Sequence, residues 1–400
     1  MSGALAPSDE AAIAQFVAAA HALGEPLLVQ GGGTKAGMLR PVQAARSLST
    51  RNLSGITLYS PNELIISARS GTPLAEVEAR LAECGQHVIA EPPDLAALLG
   101  EGTQTLGGVV ATNLSGPRRV AWGAMRDHVM GVRAVNGAGE VIRSGGRVLK
   151  NVTGLDLCKL LTGSHGTLAV LTEITLKVLP APESTGTLVL PGLEPDAAVA
   201  ALSAALGSPY TVSGAAWLPQ EAASAVPGLA GLGASAALVR IEDFAPSVEY
   251  RLGRLRDDLA AWGAAVILAD PDSRAVWRAV RDGAPLQAQP DEALWRISTA
   301  PSRGPAVAAA LAAAGARSYL DWGGGLLWVA GPASTATHDV VTRAVAGNGA
   351  WVVLRAPEPM RAAVAVVPPE PEALARITRR VKSAMDPKGI LNPGRLYAGL

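Results

Sequence analysis

Three glycine-rich segments carry the residues of this sequence that could do chemistry. The first follows a short apolar run and reads Gly31, Gly32, Gly33, Thr34 and Lys35. Adjacent glycines leave main-chain N–H groups unshielded, and such groups can converge on an anion. Because Thr34 adds a hydroxyl and Lys35 a positive charge, the segment is a candidate pyrophosphate loop, with a flexible glycine turn as the alternative. Its spacing matches neither GxxxxGKS/T nor GxGxxG, which disfavours a P-loop NTPase and a nicotinamide-type Rossmann site.

The second and third segments combine bare backbone with short polar side chains, as the binding of a phosphate and a flat heteroaromatic ring requires. The second runs from residue 103 to 118, and the third opens with Asn-Val-Thr-Gly at 151–154 and continues to residue 168. Tight turns are the alternative interpretation of the second segment. Three such segments in this order, closed by Asn-Pro-Gly at 392–394, are much more specific than any one of them.

The order of these segments resembles that of the vanillyl-alcohol-oxidase and PCMH-type FAD flavoproteins, and within that family the FAD-binding E subunits of glycolate oxidase. The similarity covers residues from about 25 to 180 and the C-terminal end, and the middle of the chain matches more loosely. The resemblance implies an α+β protein with a PCMH-type two-part FAD-binding domain and a smaller cap domain of antiparallel sheet plus helices. The implied FAD-binding domain, cap or substrate domain and returning C-terminal tail are residues 1–180, 181–380 and 381–400.

The resemblance also implies which positions contact the cofactor, through their match to the glycine loops of the family. These positions are Gly31, Gly32, Gly33, Thr34, Lys35, Pro92, Pro93, Thr105, Gly107, Gly108, Asn113, Ser115, Gly116, Gly163, Ser164, Gly166, Leu168, Val170 and Asn392. Covalent members of the family often carry a histidine in the first loop, where this chain has Thr34 and Lys35. FAD is therefore expected to be bound non-covalently.

The reaction that the resemblance implies is oxidation of a small 2-hydroxy acid, glycolate, to glyoxylate, with the flavin taking the hydride. A base must lie within hydrogen-bond reach of the substrate hydroxyl, and such dehydrogenases usually carry clustered histidines in the second half. Only His338 of the five histidines follows residue 180, so the catalytic residues stay unidentified. We expect His338 at a surface or helix-capping position, and the lack of paired histidines predicts no metal site.

Other polar residues of the second half have two possible roles each. Arg240 and Arg296 stand in predicted strands, where either could bind a substrate carboxylate or form an ordinary salt bridge. Trp322 and Trp328, together with Asp321, could line a substrate pocket, although core packing is the commoner role for such residues.

The cysteine content bears on how electrons leave the chain. Cys84 and Cys158 are too few for an iron–sulfur cluster or a disulfide framework. The resemblance therefore implies partner chains, namely a paralogous FAD subunit and an iron–sulfur subunit of the same complex. Two alternatives stay open: a non-catalytic electron-relay subunit that supports a paralogous catalytic subunit, and a stand-alone D-lactate-type dehydrogenase.

Composition excludes several classes of partner. The formal net charge is +0 and no basic cluster occurs, so nucleic-acid binding is not expected. The N-terminus does not resemble a secretory signal, and no run of about 18 apolar residues lacks charges, which predicts no membrane span. We expect a cytoplasmic protein whose membrane association, if any, runs through partner subunits.

The elements that must position these residues follow from hydrophobic periodicity. The opening predicts the order α-β-β-β-β-α, with a first helix capped by Ser8 and a buried strand at 27–29 that runs into the first glycine segment. A hairpin is predicted around Asn136–Gly139. The Pro-Ala-Pro sequence at 180–182 is a plausible domain boundary, and a last helix is predicted at Glu372–Met385.

Overall fold

Two large sheets organise the chain, one of five strands in the first half and one of eight strands in the second. The computed structural model describes residues 4–100, 102–146 and 155–400, so the Asn-Val-Thr-Gly start of the third glycine segment lies outside the described residues. Each sheet packs against helices over its own hydrophobic core, and a small third core joins the first helix to the C-terminal tail. The combination of helices with mainly antiparallel sheets is the α+β class that the sequence predicts.

The first helix, α1 (Glu10–Leu23), covers the third core with a face of apolar residues at helical spacing. Its N-cap is Asp9, whose Oδ1 accepts a hydrogen bond from the Ala12 N–H at 2.8 Å. The prediction that Ser8 caps this helix is therefore wrong by one residue. The adjacent carboxylate takes the role because it accepts the orphan N–H and also carries a negative charge at the positive end of the helix dipole.

A parallel pair of strands, β1 (Leu27–Gln30) and β2 (Arg46–Ser49), positions the first glycine segment. The C-terminal tail pairs with β1 on its other side. The Leu27 N–H donates to the Ile390 carbonyl at 2.7 Å, and the Asn392 N–H donates to the Leu27 carbonyl at 3.0 Å. The strand therefore delivers the glycine segment directly beside the tail.

The next seven strands include those of the first large sheet. They are β3 (Ile56–Ser60), β4 (Ile65–Arg69), β5 (Gln86–His87), β6 (Val129–Asn136), β7 (Val141–Gly145), β8 (Ala169–Lys177) and β9 (Leu179–Pro180). The sheet has the order β3-β4-β8-β6-β7, every neighbouring pair is antiparallel, and β5 pairs with β9 separately. The predicted hairpin is confirmed as β6 and β7, and its turn is closed by Asn136, whose Oδ1 accepts from the N–H groups of Ala138 and Glu140.

Six helices follow α1 within this part of the chain. They are α2 (Leu74–Ala82), α3 (Ala96–Leu99), α4 (Leu106–Thr112), α5 (Arg119–Trp122), α6 (Met125–His128) and α7 (Leu157–Leu161). Helix α4 is a departure from the sequence interpretation, which places only loops and turns in the second glycine segment. Its two glycines are tolerated because Thr105 caps the helix and Leu106, Val109 and Val110 are buried.

The second large sheet is built from eight antiparallel strands. They are β10 (Ser184–Pro191), β11 (Gly214–Leu218), β12 (Ala236–Asp243), β13 (Val266–Leu268), β14 (Ala293–Thr299), β15 (Arg317–Asp321), β16 (Leu326–Gly331) and β17 (Gly349–Arg355). Their order is β13-β10-β12-β11-β15-β16-β14-β17. The sequence interpretation missed β10, β11 and β17. Strand β11 is buried at every position, so it lacks the alternation by which a half-exposed strand is recognised.

Eight further helices accompany this sheet and the tail. They are α8 (Pro195–Leu206), α9 (Gln220–Ser224), α10 (Ala245–Asp258), α11 (Asp272–Arg281), α12 (Gly304–Ala313), α13 (Thr335–Val345), α14 (Glu358–Ala363) and α15 (Glu372–Met385). The last has the predicted bounds. None of the described helices has both the length and the apolar composition that crossing a bilayer requires.

Candidate functional site

A cleft of about 780 Å³ lies where the first glycine segment, α4, the start of β8 and the C-terminal tail meet. Concave clefts lined by apolar residues and a few polar groups are typical of small-molecule and cofactor sites. The predicted cofactor positions that line it are Gly31, Gly32, Gly33, Thr34, Lys35, Thr105, Gly107, Gly108, Gly166, Val170 and Asn392. The fold thus brings together residues from all three glycine segments and from the tail.

Two of the glycines serve the contact between loops. A Cβ on Gly31 would overlap the Thr105 hydroxyl, and a Cβ on Gly32 would overlap the carbonyl oxygen of Thr103. The absence of side chains therefore lets the first and second glycine segments lie against each other. A larger residue at Gly32 would separate these two walls of the cleft, rather than simply fill the space of an anion.

Lys35 lies in the cleft as a half-buried cation. Its Nζ donates to Gln104 Oε1 at 2.7 Å and to Thr34 Oγ1 at 3.4 Å. Burial lowers the pKa of Lys35 to about 8. No carboxylate of the described residues lies within ion-pair distance of this ammonium group, so its charge is available to an anion in the cleft.

Arg395 is a second cation in the cleft wall, and the sequence analysis missed it. Its guanidinium donates only to main-chain carbonyls of the first glycine segment and the turn after it, those of Lys35, Ala36 and Arg40. Burial, with a smaller effect of Arg361, lowers the pKa of Arg395 to about 10. The signal in the sequence is its place directly after Asn-Pro-Gly, within the tail that returns to β1.

Ser70 is a further lining residue without a prediction. Its main chain is fixed, because the Ser70 N–H donates to Thr172 and its carbonyl accepts from Gly107. Its buried hydroxyl has no hydrogen-bond partner within the part of the chain that the structure describes. Burying a hydroxyl without a hydrogen-bond partner costs free energy. The position of this oxygen therefore suits a site in which a polar ligand supplies the missing hydrogen bond.

Asn392 ties the walls together. Its Oδ1 accepts from the Val29 N–H at 2.7 Å, and its Nδ2 donates to the carbonyls of Val29 and His165. The amide is used within the protein, so Asn392 sets the relative position of β1 and the third glycine segment. His165 lines the cleft beside it, and burial lowers the pKa of this imidazole to about 3, which leaves it neutral at pH 7.

The other predicted cofactor positions lie outside the lining of this cleft. Asn113, Ser115 and Gly116 lie within the second segment, and Pro92 and Pro93 precede it. Gly163, Ser164 and Leu168 belong to the third segment, and Ser164 and Leu168 line a separate groove on its other side. The carbonyl of Ser115 accepts from Arg296 Nη2 at 2.6 Å, and that of Gly116 accepts from Trp322 Nε1 at 3.0 Å. The second glycine segment is therefore held by side chains of the second half.

A buried network of four charges also joins the two halves. Glu91 accepts from Arg240 Nη1 and Nη2 at 2.8 and 2.9 Å, and Arg118 donates to Glu242 from Nε and Nη2 at 2.9 and 2.7 Å. Burial alone would raise the pKa of Glu242, but the guanidinium groups of Arg240 and Arg118 hold it well below its ordinary value. Arg240 thus has the salt-bridge role of its two possible roles.

The structure shows where His338 and the tryptophans of the second half pack. His338 is buried on α13 and accepts from Trp295 Nε1 at 3.2 Å, so the expected surface or capping position is wrong. It is held in the core because its imidazole satisfies the tryptophan N–H. Trp328 is buried in the core, and the Arg296 guanidinium lies between the rings of Trp328 and Trp322.

The fold and the cleft define a flavoprotein of the PCMH type. Residues 1–145 match the family described as an FAD binding domain. The solved structure of p-cresol methylhydroxylase with substrate bound superposes with a TM-score of 0.73 at 13% identity, over 99% of this chain and 88% of that one. At that identity the likeness concerns the fold alone.

Sequence similarity then gives the particular family. The chain is 34% identical to glycolate oxidase subunit GlcE of Escherichia coli (strain K12) over 384 residues, which is 94% of this chain and 93% of the relative. It is 31% identical to a D-lactate dehydrogenase of Archaeoglobus fulgidus over 186 residues, 46% of this chain and 40% of that protein. The chain belongs to the family of FAD-linked oxidoreductases that contains the glycolate oxidase subunit GlcE, and its cofactor is FAD.

The cleft fits that cofactor. Two cations that line it, the half-buried Lys35 and the buried Arg395, form no ion pair with a carboxylate of the described residues and suit the negative charge of a diphosphate. The unpartnered hydroxyl of Ser70 supplies a hydrogen-bonding group. Among the described residues no group of acidic, histidine or cysteine side chains is suited to a metal ion.

Proposed function

We propose that this chain binds FAD non-covalently in the described cleft and acts as the FAD-binding subunit of a complex that oxidises glycolate to glyoxylate. The proposal rests chiefly on one observation: two cations, and a hydroxyl that has no hydrogen-bond partner among the described residues, line a cleft built from all three glycine segments. Lys35 and Arg395 are assigned to the diphosphate. The FAD-binding domain is assigned to residues 1–180 with the tail 381–400, and the cap to residues 181–380.

Bound FAD would supply the acceptor for the hydride that leaves the substrate carbon. The protein's own part is to hold the cofactor and exclude water. Lys35 offsets negative charge, Asn392 keeps the walls in register, and His165 presents an imidazole that is neutral at pH 7. Partner chains, a paralogous FAD subunit and an iron–sulfur subunit, are proposed to receive the electrons, in keeping with the "subunit" in the name of the relative.

A second candidate function is an electron relay that supports a paralogous catalytic subunit. The packing of the second half favours it. Its only histidine, His338, is engaged with Trp295 in the core, and Arg240 is engaged with Glu91 and Glu242. Neither is free to act on a 2-hydroxy acid, whereas a catalytic subunit needs a base within hydrogen-bond reach of the substrate hydroxyl.

The absorption spectrum of the purified chain tests FAD binding. Wild-type protein is expected to show the flavin bands, and acid precipitation should release FAD into the supernatant because the bond is non-covalent. Gly32→Val should lose nearly all of this flavin, since its side chain separates the first and second glycine segments. Gly37→Val is the matched control, because a Cβ there meets open space. Colourless wild-type protein that takes up no added FAD would refute the proposal.

Anaerobic mixing with glycolate separates the two candidate functions. If this flavin is catalytic, glycolate should bleach the isolated chain. If it is a relay, bleaching should require the paralogous FAD subunit. Turnover of the chain alone with D-lactate and an artificial acceptor would instead support the stand-alone dehydrogenase, a reading that the partial similarity to D-lactate dehydrogenase keeps open.

A further inference from the structure

Lys382 of α15 is a buried cation outside the cofactor cleft, and no part of the proposed function uses it. Its Nζ donates to the Thr167 carbonyl and to Asp386 Oδ2 at 2.7 Å each, and to the Leu391 carbonyl at 3.0 Å. An ammonium group has three N–H donors, so each of them has an acceptor within the protein. These acceptors belong to the third glycine segment, the end of α15 and the C-terminal tail, and one side chain therefore joins all three.

Asp386 fixes the direction of the tail at the same point. Its carboxylate is buried, and it accepts from the Ile390 N–H at 3.1 Å and from the Leu391 N–H at 2.8 Å. A Cβ on Gly137 would overlap this carboxylate, so the turn between β6 and β7 packs directly against it. The tail therefore leaves α15 in the direction that brings residues 390–392 alongside β1.

The turn that Lys382 contacts in the third glycine segment has an unusual backbone. His165 and Gly166 both lie in the left-handed region, with φ of 53° and 71°. Glycine adopts this conformation freely, whereas a histidine there is strained and persists only where surrounding contacts fix it. Hydrogen bonds to the carbonyls on the two sides of Gly166 supply such contacts. Asn392 Nδ2 donates to the His165 carbonyl at 2.9 Å, and Lys382 Nζ donates to the Thr167 carbonyl.

The lining of the cofactor cleft begins one residue away from each main-chain bond that Lys382 makes. Gly166, which precedes Thr167, lines the cleft, and so does Asn392, which follows Leu391. Lys382 lies on the other side of this wall, beside the separate groove. Any effect of its ammonium group on a bound cofactor must therefore pass through the main chain of the two wall segments.

We propose that Lys382 is a positioning residue for FAD, because its ammonium group sets the spacing between Gly166 and Asn392 in the cleft wall. The inference rests on the proposed function, since it takes the cleft to be the FAD site. Asp386 supports this role by supplying the opposite charge and by directing the tail toward β1. Without the ammonium group both main-chain carbonyls lose their donor, and the third glycine segment is expected to move away from the tail.

Titration of the flavin-free full chain with FAD tests the proposal. Lys382→Met keeps the length of the side chain and removes its three donors, so the Kd for FAD should rise at least about tenfold. Thr187→Val is the control for lost stability, since it removes a buried hydroxyl that bonds to Ser273 and Trp277 Nε1 outside the cleft. Titrated below its unfolding transition, this control should keep the wild-type Kd within about twofold.

Two further measurements separate positioning from a purely structural role. Lys382→Met and Asn392→Ala both free the same turn, so the combined variant should bind FAD little more weakly than the weaker single variant. At saturating FAD, the visible bands of the flavin in Lys382→Met should shift toward those of free FAD, which a loss of stability alone does not cause. Lys382→Gln keeps N–H donors without the charge, so its Kd should lie between those of wild type and Lys382→Met. It also carries the test if Lys382→Met does not fold.

Three results would overturn the positioning role of Lys382. The first is a wild-type Kd and flavin spectrum in the Lys382→Met and Lys382→Gln proteins. The second is a combined variant whose Kd rises by the product of the Lys382→Met and Asn392→Ala effects. The third is an equal rise of Kd in Thr187→Val, which would show that FAD affinity simply follows stability. Colourless wild-type protein that takes up no added FAD would instead count against the proposed function.

Discussion

The proposed FAD cleft and the junction between the halves both contain charged side chains, but these side chains have different partners. At the junction, Glu91, Arg118, Arg240 and Glu242 satisfy one another through paired hydrogen bonds. In the cleft, Lys35 meets no carboxylate of the described chain. Removing a charge from water without a counter-ion costs free energy. Such an arrangement is therefore expected where a ligand supplies the opposite charge.

The difference separates stability from binding. Charged side chains that pair with one another within the fold hold two parts of the chain together. Replacing one of them should therefore lower the free energy of unfolding. Charged groups and hydroxyls that face the cleft contribute little to the free energy of unfolding. Replacing one of them should instead lower the affinity for FAD. Four substitutions test this contrast, in order of the expected effect.

Arg240→Met should have the largest effect on stability. The change leaves Glu91 as a buried carboxylate without its two hydrogen bonds from Arg240, and breaking one side of such a pair costs about 3–5 kcal/mol. Chemical denaturation should therefore show a lower free energy of unfolding. Arg46→Met is the control, because the Arg46–Glu25 pair is exposed and such pairs contribute about 0–1 kcal/mol. Equal effects of the two changes would contradict the contrast.

Lys35→Met should instead weaken FAD binding and leave the flavin-free protein at least as stable as wild type, because burial disfavours the charged form of Lys35. Loss of a charge-assisted hydrogen bond of about 1.5–3 kcal/mol corresponds to a roughly 10- to 150-fold higher Kd. Fluorescence titration of the flavin-free protein measures it. Lys388→Met, at an exposed lysine far from the cleft, should keep the wild-type Kd.

The pH dependence of FAD binding sharpens the assignment of Lys35. Burial lowers the pKa of this ammonium group to about 8 in the ligand-free site, so above that pH the neutral amine must take up a proton as the anion binds. The Kd should rise above pH 8 by up to about tenfold per pH unit. The Lys35→Met protein should lack this rise, and an identical pH profile would argue against a charge interaction.

Asp321→Asn tests a buried carboxyl that forms no salt bridge with any of the described residues. Burial raises the pKa of Asp321 to about 7, above its ordinary 3.8, so the folded state binds this proton more tightly than the unfolded state. Its contribution to stability is present below about pH 4 and is lost as the pH rises toward 7, by at most about 1.4 kcal/mol per pH unit. The Asn side chain keeps an acceptor for the Trp322 N–H, so the stability gained by the variant over wild type should grow across this window. A gain independent of pH would rule the assignment out.

Ser70→Ala should have the smallest effect. Removing a neutral hydroxyl that bonds only to the ligand costs about 0.5–1.5 kcal/mol, or a roughly 2- to 10-fold higher Kd for FAD. The folded protein should be unaffected or slightly more stable, since the hydroxyl has no partner within it. A large loss of stability with unchanged FAD affinity would place Ser70 among the structural residues.

Local sequence predicted the parts of the fold that depend on nearby residues. The hairpin of β6 and β7 follows from Asn136 and the glycines after it, and α15 follows from its periodicity. The sequence interpretation was wrong where contacts between residues far apart in the chain determine the secondary structure. Strand β11 is buried throughout by neighbours far away in the sequence, and α4 keeps its glycines because Ser70 packs against Gly107.

For the site, the sequence by itself determined the chemistry: glycines that allow main chains to approach, and Lys35 as a cation beside them. The tertiary structure decided which of those residues share one cleft, and it added Arg395 and Ser70. Only the place of Arg395 directly after Asn-Pro-Gly marks it in the sequence, and no local pattern marks Ser70. The reason is physical. The type of a side chain determines what it can bind. Its burial and its hydrogen-bond partners depend on chain segments that are hundreds of residues apart, as the contact between Asn392 and Val29 illustrates.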